Sequence, residues 1–217
     1  MAGHLRREST SMKWPIERKG TAYVVRPREN INDGVPFLII LREMTQLAQT
    51  RREAQRIIHA KQVLANGKPV KDDKNNMLLF DTLNVIPLKK CYRLELSEHG
   101  KFFLKEIKEN ESEKKISKVI GKKILKGKKT QLNLSDGRNF LSDVKCNLND
   151  SVLVNLKDGK IEKCLPLKEK TNAVVFSGKH IGKTGEIVQL NLEGKIAKIK
   201  SKDKEINVLI KQLMVIE

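Results

Sequence analysis

From Pro36 the chain reads PFLIILREMTQLA, in which Leu38, Leu41 and Met44 fall among the apolar positions and proline stands where a first helical turn tolerates it. This pattern predicts a helix. Thr50-Arg51-Arg52-Glu53 then forms a Thr-x-x-Glu capping box that opens a second helix, TRREAQRIIHA, with Ala54, Ile57 and Ile58 facing inward. Arg52, Arg56 and His59, spaced i, i+4 and i+7, share its opposite face. The period then shortens. KQVLANGKPVKDD reads as two short strands joined by Asn66-Gly67, a dipeptide that supplies two residues at positive φ, and MLLFDTLNVIPL adds further strand.

Between about residues 92 and 168, short alternating runs are cut by turn signals at His99-Gly100, Asp136-Gly137, Asn149-Asp150 and Asp158-Gly159, which predicts an all-β module. Within it, GKKILKGKKTQ crowds Lys122, Lys123, Lys126, Lys128 and Lys129 together. Such a run suits either a solvated strand edge that discourages aggregation or a phosphate-binding stretch. The opening segment, MAGHLRRESTSMKWPIERKGTAYVVRPREN, has no sustained period and reads as an extended basic arm, of the kind that becomes ordered against a nucleic acid. Trp14-Pro15 within it either anchors the arm to its own domain or offers a ring for base stacking.

Near the other end, GKHIGKT looks at first sight like a nucleotide-binding loop. That loop needs four residues between its first glycine and Gly-Lys-Ser/Thr, and it must lead into a helix whose N-terminus faces the phosphate. Only Lys179, His180 and Ile181 separate Gly178 from Gly182, and Val188, Leu190 and Leu192 then alternate before Glu193-Gly194. The stretch is therefore read as a glycine-rich turn between two strands.

A chain of 217 residues holds one large or two to three small domains. Hydrophobic residues at 39% and aromatics at 4% are lean for one large core, so several small domains are expected. There is no apolar run of about 18 residues and no apolar signal core after the first charges, so a soluble intracellular protein is expected. Cys91, Cys146 and Cys164 lack any Cys-x-x-Cys pairing and read as structural thiols, and the four histidines are equally scattered. Charge carries more information. Lys plus Arg number 44 against 26 Asp plus Glu, a formal net charge of +18 that points to a polyanionic partner. A general lysine bias accounts for part of this excess, but nine of the 11 arginines fall within the first 56 residues. Arginine suits bidentate phosphate and base contacts, so sharper recognition is expected in the first quarter of the chain.

The stretch TRREAQRIIHAKQVLANGKPV resembles the S-four RNA-binding domain of ribosomal proteins, some tRNA synthetases and pseudouridine synthases. The resemblance implies an RNA-facing surface made by Arg51, Arg52, Arg56, His59, Lys61, Asn66, Gly67 and Lys68. VVFSGKHIGKTGEIV resembles the KOW motif, with Gly178, Gly182 and Gly185 turning the chain, their backbone open to RNA, and Lys179, His180 and Lys183 at the tip. IAKIK, INVLI and LMVIE then supply strands to close a small barrel.

These modules in this order, together with HLRRES, KWPIERK, REAQRIIHAKQVL, TQLNLSDGRN and SGKHIGKTG, resemble the archaeal and eukaryotic small-subunit ribosomal S-four-e family, archaeal type. The resemblance implies an α+β, multidomain fold. Its parts are a basic N-terminal arm (1–35), an S-four (αL-like) RNA-binding domain (36–91), a central all-β domain (92–170) and a C-terminal KOW small β-barrel, SH-three-like (171–217). It also implies a structural role on the cytoplasmic ribosome, bound to 16S-type rRNA and to neighbouring small-subunit ribosomal proteins. No catalysis, cofactor, metal, membrane or small-molecule substrate is expected. Through the family-like stretches the RNA-contact set gains Arg6, Arg7, Lys13, Trp14 and Arg138, beside the central lysines. Two departures from the family pattern are the lack of a basic leader and an end directly after the barrel, so contacts that longer members make from their ends are not carried over. The alternatives are a free RNA-binding regulator and an RNA-modifying enzyme that uses the S-four module for targeting.

Overall fold

Apolar runs of strand length cut by glycine and polar turns fold as strands almost throughout, and among the described residues α-helix is confined to short pieces before Lys114. The computed structural model describes residues 4–125, 129–141, 144–191, 193–201 and 204–216. Two compact units make up the chain, Met1–Glu95 with Lys101–Glu113, and Leu96–Gly100 with Lys114–Glu217.

In the first unit the opening segment is folded rather than extended. Strand β1 (Leu5–Arg6) pairs antiparallel with β2 (Tyr23–Val24), setting Arg6 opposite Tyr23. Trp14 is only 1% exposed, and its indole Nε1–H donates to the Gly34 carbonyl at 2.8 Å. Of the two roles open to that ring, the fold uses it as the anchor, since a buried indole with its one donor satisfied has no face left for a base. Strand β3 (Gly34–Pro36) pairs with β6 (Asn76–Leu78). The helix predicted after Pro36 begins as α1 (Phe37–Ile39) but widens into a π-turn over Ile40–Met44 and stops. Thr45 explains the early end. Its N–H donates to the Ile40 carbonyl at 2.9 Å, and its hydroxyl takes the Ile40 and Leu41 carbonyls at 3.1 and 3.3 Å, displacing the regular ladder.

Helix α2 (Arg51–His59) starts at the predicted capping box. Glu53 N–H donates to Thr50 Oγ1 at 3.3 Å, while Glu53 Oε2 accepts from the Gln49 and Thr50 amides at 2.8 and 3.3 Å. Those amides, Gln49 first, hold the Glu53 carboxyl below its ordinary pKa. Ala54 and Ile58 are buried and Ile57 is half-buried. The hairpin β4 (Val63–Ala65) to β5 (Lys68–Pro69) turns on Asn66 and Gly67, at φ 50° and 75°. With β7 (Thr82–Val85), β8 (Lys90–Leu96) and β9 (Phe102–Ile107) it forms a sheet in the order β5-β4-β7-β8-β9. The one-turn helix α3 (Glu109–Ser112) follows, and the Ser112 carbonyl accepts the Thr82 hydroxyl at 2.9 Å.

The second unit holds two five-stranded antiparallel sheets. One has the order β12-β11-β10-β13-β14, from β10 (Lys114–Ile124), β11 (Thr130–Leu134), β12 (Asn139–Leu141), β13 (Ser151–Asn155) and β14 (Lys160–Leu165). Val119, Leu132, Leu134, Cys146, Val152 and Val154 form its core. Cys146 is buried there, and burial, with Cys146 and Asp150 beside it, pushes the Cys164 thiol well above its ordinary pKa, so both read as structural thiols. The other sheet has the order β18-β17-β16-β15-β19, from β15 (Asn172–Val175), β16 (Thr184–Asn191), β17 (Ile196–Ser201), β18 (Lys204–Leu209) and β19 (Leu213–Val215).

Strand β16 corrects the predicted phase. Ile187 is fully buried while Val188 is 45% exposed, because the register with β17 shifts between Ile187 and Gln189, a bulge that resets the alternation. Leu192 lies outside the described residues.

Two buried polar anchors join the sheets of this unit. Lys118 of β10, 3% exposed, donates through Nζ to the Ile210 and Leu213 carbonyls at 2.5 and 2.7 Å. Ser151 Oγ accepts the Val215 amide at 2.9 Å. Lys115, on the same strand, is buried in an ion pair with Asp136 at 2.8 Å. Two lysines of a basic chain thus serve the interior.

Candidate nucleic-acid interface

The outward face of α2 is the most coherent basic surface of the first unit. Arg52, Arg56 and His59 are all exposed on the side away from Ala54 and Ile58. Lys61, exposed at φ 54°, carries the chain out of the helix, and Gly67 and Lys68 are exposed on the hairpin that follows. Two arginines and an imidazole on one capped helix, with Lys61 and Lys68 just beyond it, offer donors to phosphate or 2′-hydroxyl oxygens.

Two members of the predicted set are committed elsewhere. Arg51 donates from Nε and Nη2 to the two carboxylate oxygens of Asp73, at 2.7 and 3.3 Å, and the Asp73 side chain is almost wholly buried. Arg51 therefore neutralises a buried charge and clamps the start of α2 to the Asp73 turn. Asn66 is buried, its amide donating to Asp81 Oδ1 at 2.8 Å and its carbonyl oxygen accepting the Thr82 amide at 3.1 Å, so its side chain is turned inward to hold the hairpin rather than outward to RNA.

The opening segment divides in the same way. Arg6 is exposed, with Glu8 at 3.5 Å. Arg7 instead donates to the Thr21 carbonyl at 2.7 Å, the Glu17 carbonyl at 2.7 Å and Thr21 Oγ1 at 2.9 Å, so its guanidinium builds the 17–21 loop. Lys13 donates to the Asn32 carbonyl at 3.2 Å, and burial, partly offset by Asp33, lowers its pKa. Trp14 is buried, as described.

On the central sheet, Lys122, Lys123 and Lys129 are exposed. Lys122 lies in register with the buried Leu132 and donates to the Cys146 carbonyl at 3.3 Å. Lys126 and Lys128 fall outside the described residues. Arg138, half-buried at the β11–β12 turn, has Asp136 at 3.8 Å.

The glycines of SGKHIGKTG are used differently from the sequence expectation, which opened their backbone to RNA. A Cβ on Gly182, at φ 85°, would land on the Ser97 carbonyl oxygen. One on Gly185 would meet the Lys200 carbonyl of β17, and one on Gly178, at φ 90°, would meet the Gln212 side chain. Ile181 in turn packs onto Gly100. The glycines let this turn interlock with the 97–100 turn and with its own sheet. Lys179 is exposed at the tip, while His180 and Lys183 are half-buried. No group of three or more His, Cys, Asp or Glu side chains among the described residues could hold a metal ion, and no helix among them is long and apolar enough to cross a membrane.

Comparison with known proteins places this arrangement. A family profile described as "Ribosomal family S4e" matches residues 88–161. The small ribosomal subunit protein eS4 of Nanoarchaeum equitans is 34% identical over 86% of this chain and 82% of that protein. That of Caldivirga maquilingensis is 32% identical over 98% of this chain and 94% of its own length. The chain belongs to the S4e ribosomal family. A crystal structure of the 30S ribosomal protein S4e from Thermoplasma acidophilum shares the fold, with a TM-score of 0.73 over 85% of this chain and 95% of that one, at 24% identity. Within this S4e chain the profile spans β8 to β13, the long β10 strand included, and ends at the start of β14, so the family signature lies mainly on the central sheet.

Proposed function

We infer that the chain is a structural, non-catalytic constituent of the small ribosomal subunit, held on 16S-type rRNA and beside neighbouring small-subunit proteins in the cytoplasm. The observation that carries this reading is the exposed face of Arg52, Arg56 and His59 on a capped helix, in a chain whose relatives are named small ribosomal subunit protein eS4. Residues 1–35 act as a basic arm folded onto its own unit, 36–91 as the S-four RNA-binding domain, 92–170 as the central β domain and 171–217 as the KOW barrel. Arg6, Arg52, Arg56, His59, Lys61 and Lys68 contact RNA directly, as do Lys123, Lys129 and Lys179. Arg7, Lys13, Trp14, Arg51, Asn66 and Gly182 hold the shape that presents them. Contacts are chiefly to phosphate and 2′-hydroxyl, reading the shape of folded RNA rather than base sequence.

Sedimentation of cell extract through a high-salt wash tests the assignment. A constituent of the subunit tracks quantitatively with the small-subunit peak, whereas appearance in the supernatant favours a free regulator. Affinity for small-subunit rRNA must also fall steeply with salt, by about 0.7 to 0.9 logarithmic units per tenfold change for each phosphate neutralised. A flat salt response would refute phosphate-led binding.

A further inference from the structure

With Trp14 buried, the exposed aromatic of the opening segment is Tyr23, 57% exposed on β2 directly opposite Arg6. The His4 ring stands edge-on to it, with centroids 4.8 Å apart and planes at 77°, and so supports one side of the ring. Tyr23 lies at the lip shared by two adjoining clefts of the first unit. One, of about 830 Å³, includes Ile16, Val25, Leu38 and Ile39 in its lining. The other, of about 560 Å³, is lined on its basic side by Arg6, Arg18 and Lys19, all exposed. The larger volume falls within the range of ligand pockets, roughly 300 to 1,000 Å³. Arg7 holds the wall between them through its three bonds to Glu17 and Thr21.

An exposed tyrosine on its own is ordinary surface. Here it combines a free ring face, an apolar recess beside it and three exposed cations around it, which is the chemistry that fits an unstacked nucleotide: a flat base, a sugar and a charged phosphate on each side. We propose that Tyr23 is a stacking platform for one unpaired nucleobase of RNA, with the flanking phosphates drawn to Arg6, Arg18 and Lys19. This rests on the RNA-binding function and adds to it a preference for single-stranded RNA at one named site. The stacking aromatic is then Tyr23, and Trp14 is the residue that fixes the platform in place.

The test compares the unaltered protein and its Tyr23→Leu and Tyr23→Phe variants on two probes, single-stranded hexauridylate and an A-form RNA duplex, at one salt concentration. Thermal melting of each variant checks folding, and if the leucine variant fails to fold, Tyr23→Ser, which also removes the ring, together with the crosslinking below carries the comparison. Tyr23→Leu should weaken hexauridylate binding roughly tenfold, Tyr23→Phe should restore it, and duplex binding should not change. The salt slope should be unaltered by Tyr23→Leu but lowered by Arg6→Ala, because stacking releases no counterions. Photocrosslinking with bromouridine in the single strand should label Tyr23. Equal losses on both probes, no loss on either, or crosslinks that avoid β1 and β2 would overturn the platform while leaving RNA binding intact; a cleft occupied by a protein neighbour gives the second result. Failure of the unaltered protein to bind either RNA would remove the platform and the proposed function together.

Discussion

Lys118 offers the most quantitative check on how the second unit is built. Its ammonium sits 3% exposed, received by the Ile210 and Leu213 carbonyls and 5.8 Å from the centre of the Phe176 ring. Burial away from water lowers its pKa to about 8 from 10.5. The unfolded chain therefore binds more protons than the folded one between those values, so the stability contributed through this group rises with pH across that window and is lowest below it. This depression corresponds to roughly 3 kcal/mol in the limit, most of it recovered between pH 7 and pH 10.

The perturbation is Lys118→Met, which keeps the length of the side chain and removes the titrating group. At neutral pH the variant loses two hydrogen bonds but is relieved of a buried charge, so its net stability change there is small. The comparison across pH is the informative quantity. Urea unfolding followed by circular dichroism, at moderate salt to screen the surface lysines, should show the unaltered chain gaining roughly 2 to 3 kcal/mol on the variant from pH 7 to pH 10. A difference that stays constant over that range would falsify the claim that the fold holds a desolvated ammonium at this junction.

Gly182→Ala should lower the melting temperature of the free protein in the absence of RNA, because φ 85° costs a β-carbon about 1 to 2 kcal/mol and the Ser97 carbonyl leaves it no room; unchanged stability with weaker RNA binding would restore the idea that this glycine faces RNA. Asp136→Ala strips the buried Lys115 of its carboxylate and should destabilise the second unit by about 3 to 5 kcal/mol in denaturant titration. Arg52→Ala with Arg56→Ala should leave stability within about 0.5 kcal/mol and reduce the salt slope of rRNA binding by roughly 1.4 to 1.8. Arg51→Ala should do the reverse, costing about 1 to 3 kcal/mol of stability by orphaning Asp73 and changing the salt slope little.

Features legible in the sequence were those whose cause lies within a few residues. The Thr50–Glu53 box closes on itself, and Asn66-Gly67 turns because both residues accept positive φ, so neither needed a tertiary partner to be read. The outward face of Arg52, Arg56 and His59 followed from the same helix. Illegible features have causes that are remote in sequence. Trp14 is buried by Gly34, Arg51 is claimed by Asp73, and Gly182 is required by Ser97, each partner at least 20 residues away. In β16 a single bulge was enough to reverse which alternate residues face the core. The helix expected from Pro36 through Ala48 gave way where the Thr45 hydroxyl took over main-chain carbonyls after Ile40.

The same contrast bears on what a net charge of +18 means for function. A cation with internal partners, such as Arg7, Arg51, Lys115 or Lys118, contributes to the long-range field but releases few counterions on binding, since its donors are already engaged. An exposed cation such as Arg52 or Lys123 does both. The field of the whole chain therefore governs the rate of encounter with RNA, whereas the smaller exposed set governs the salt-dependent affinity. Neutralising Arg7, Arg51 or Lys115 should slow association slightly and destabilise their surroundings, whereas neutralising an exposed cation should slow association, flatten its salt dependence and leave the fold as it is. The division of basic residues between structure and recognition is thus open to measurement one side chain at a time.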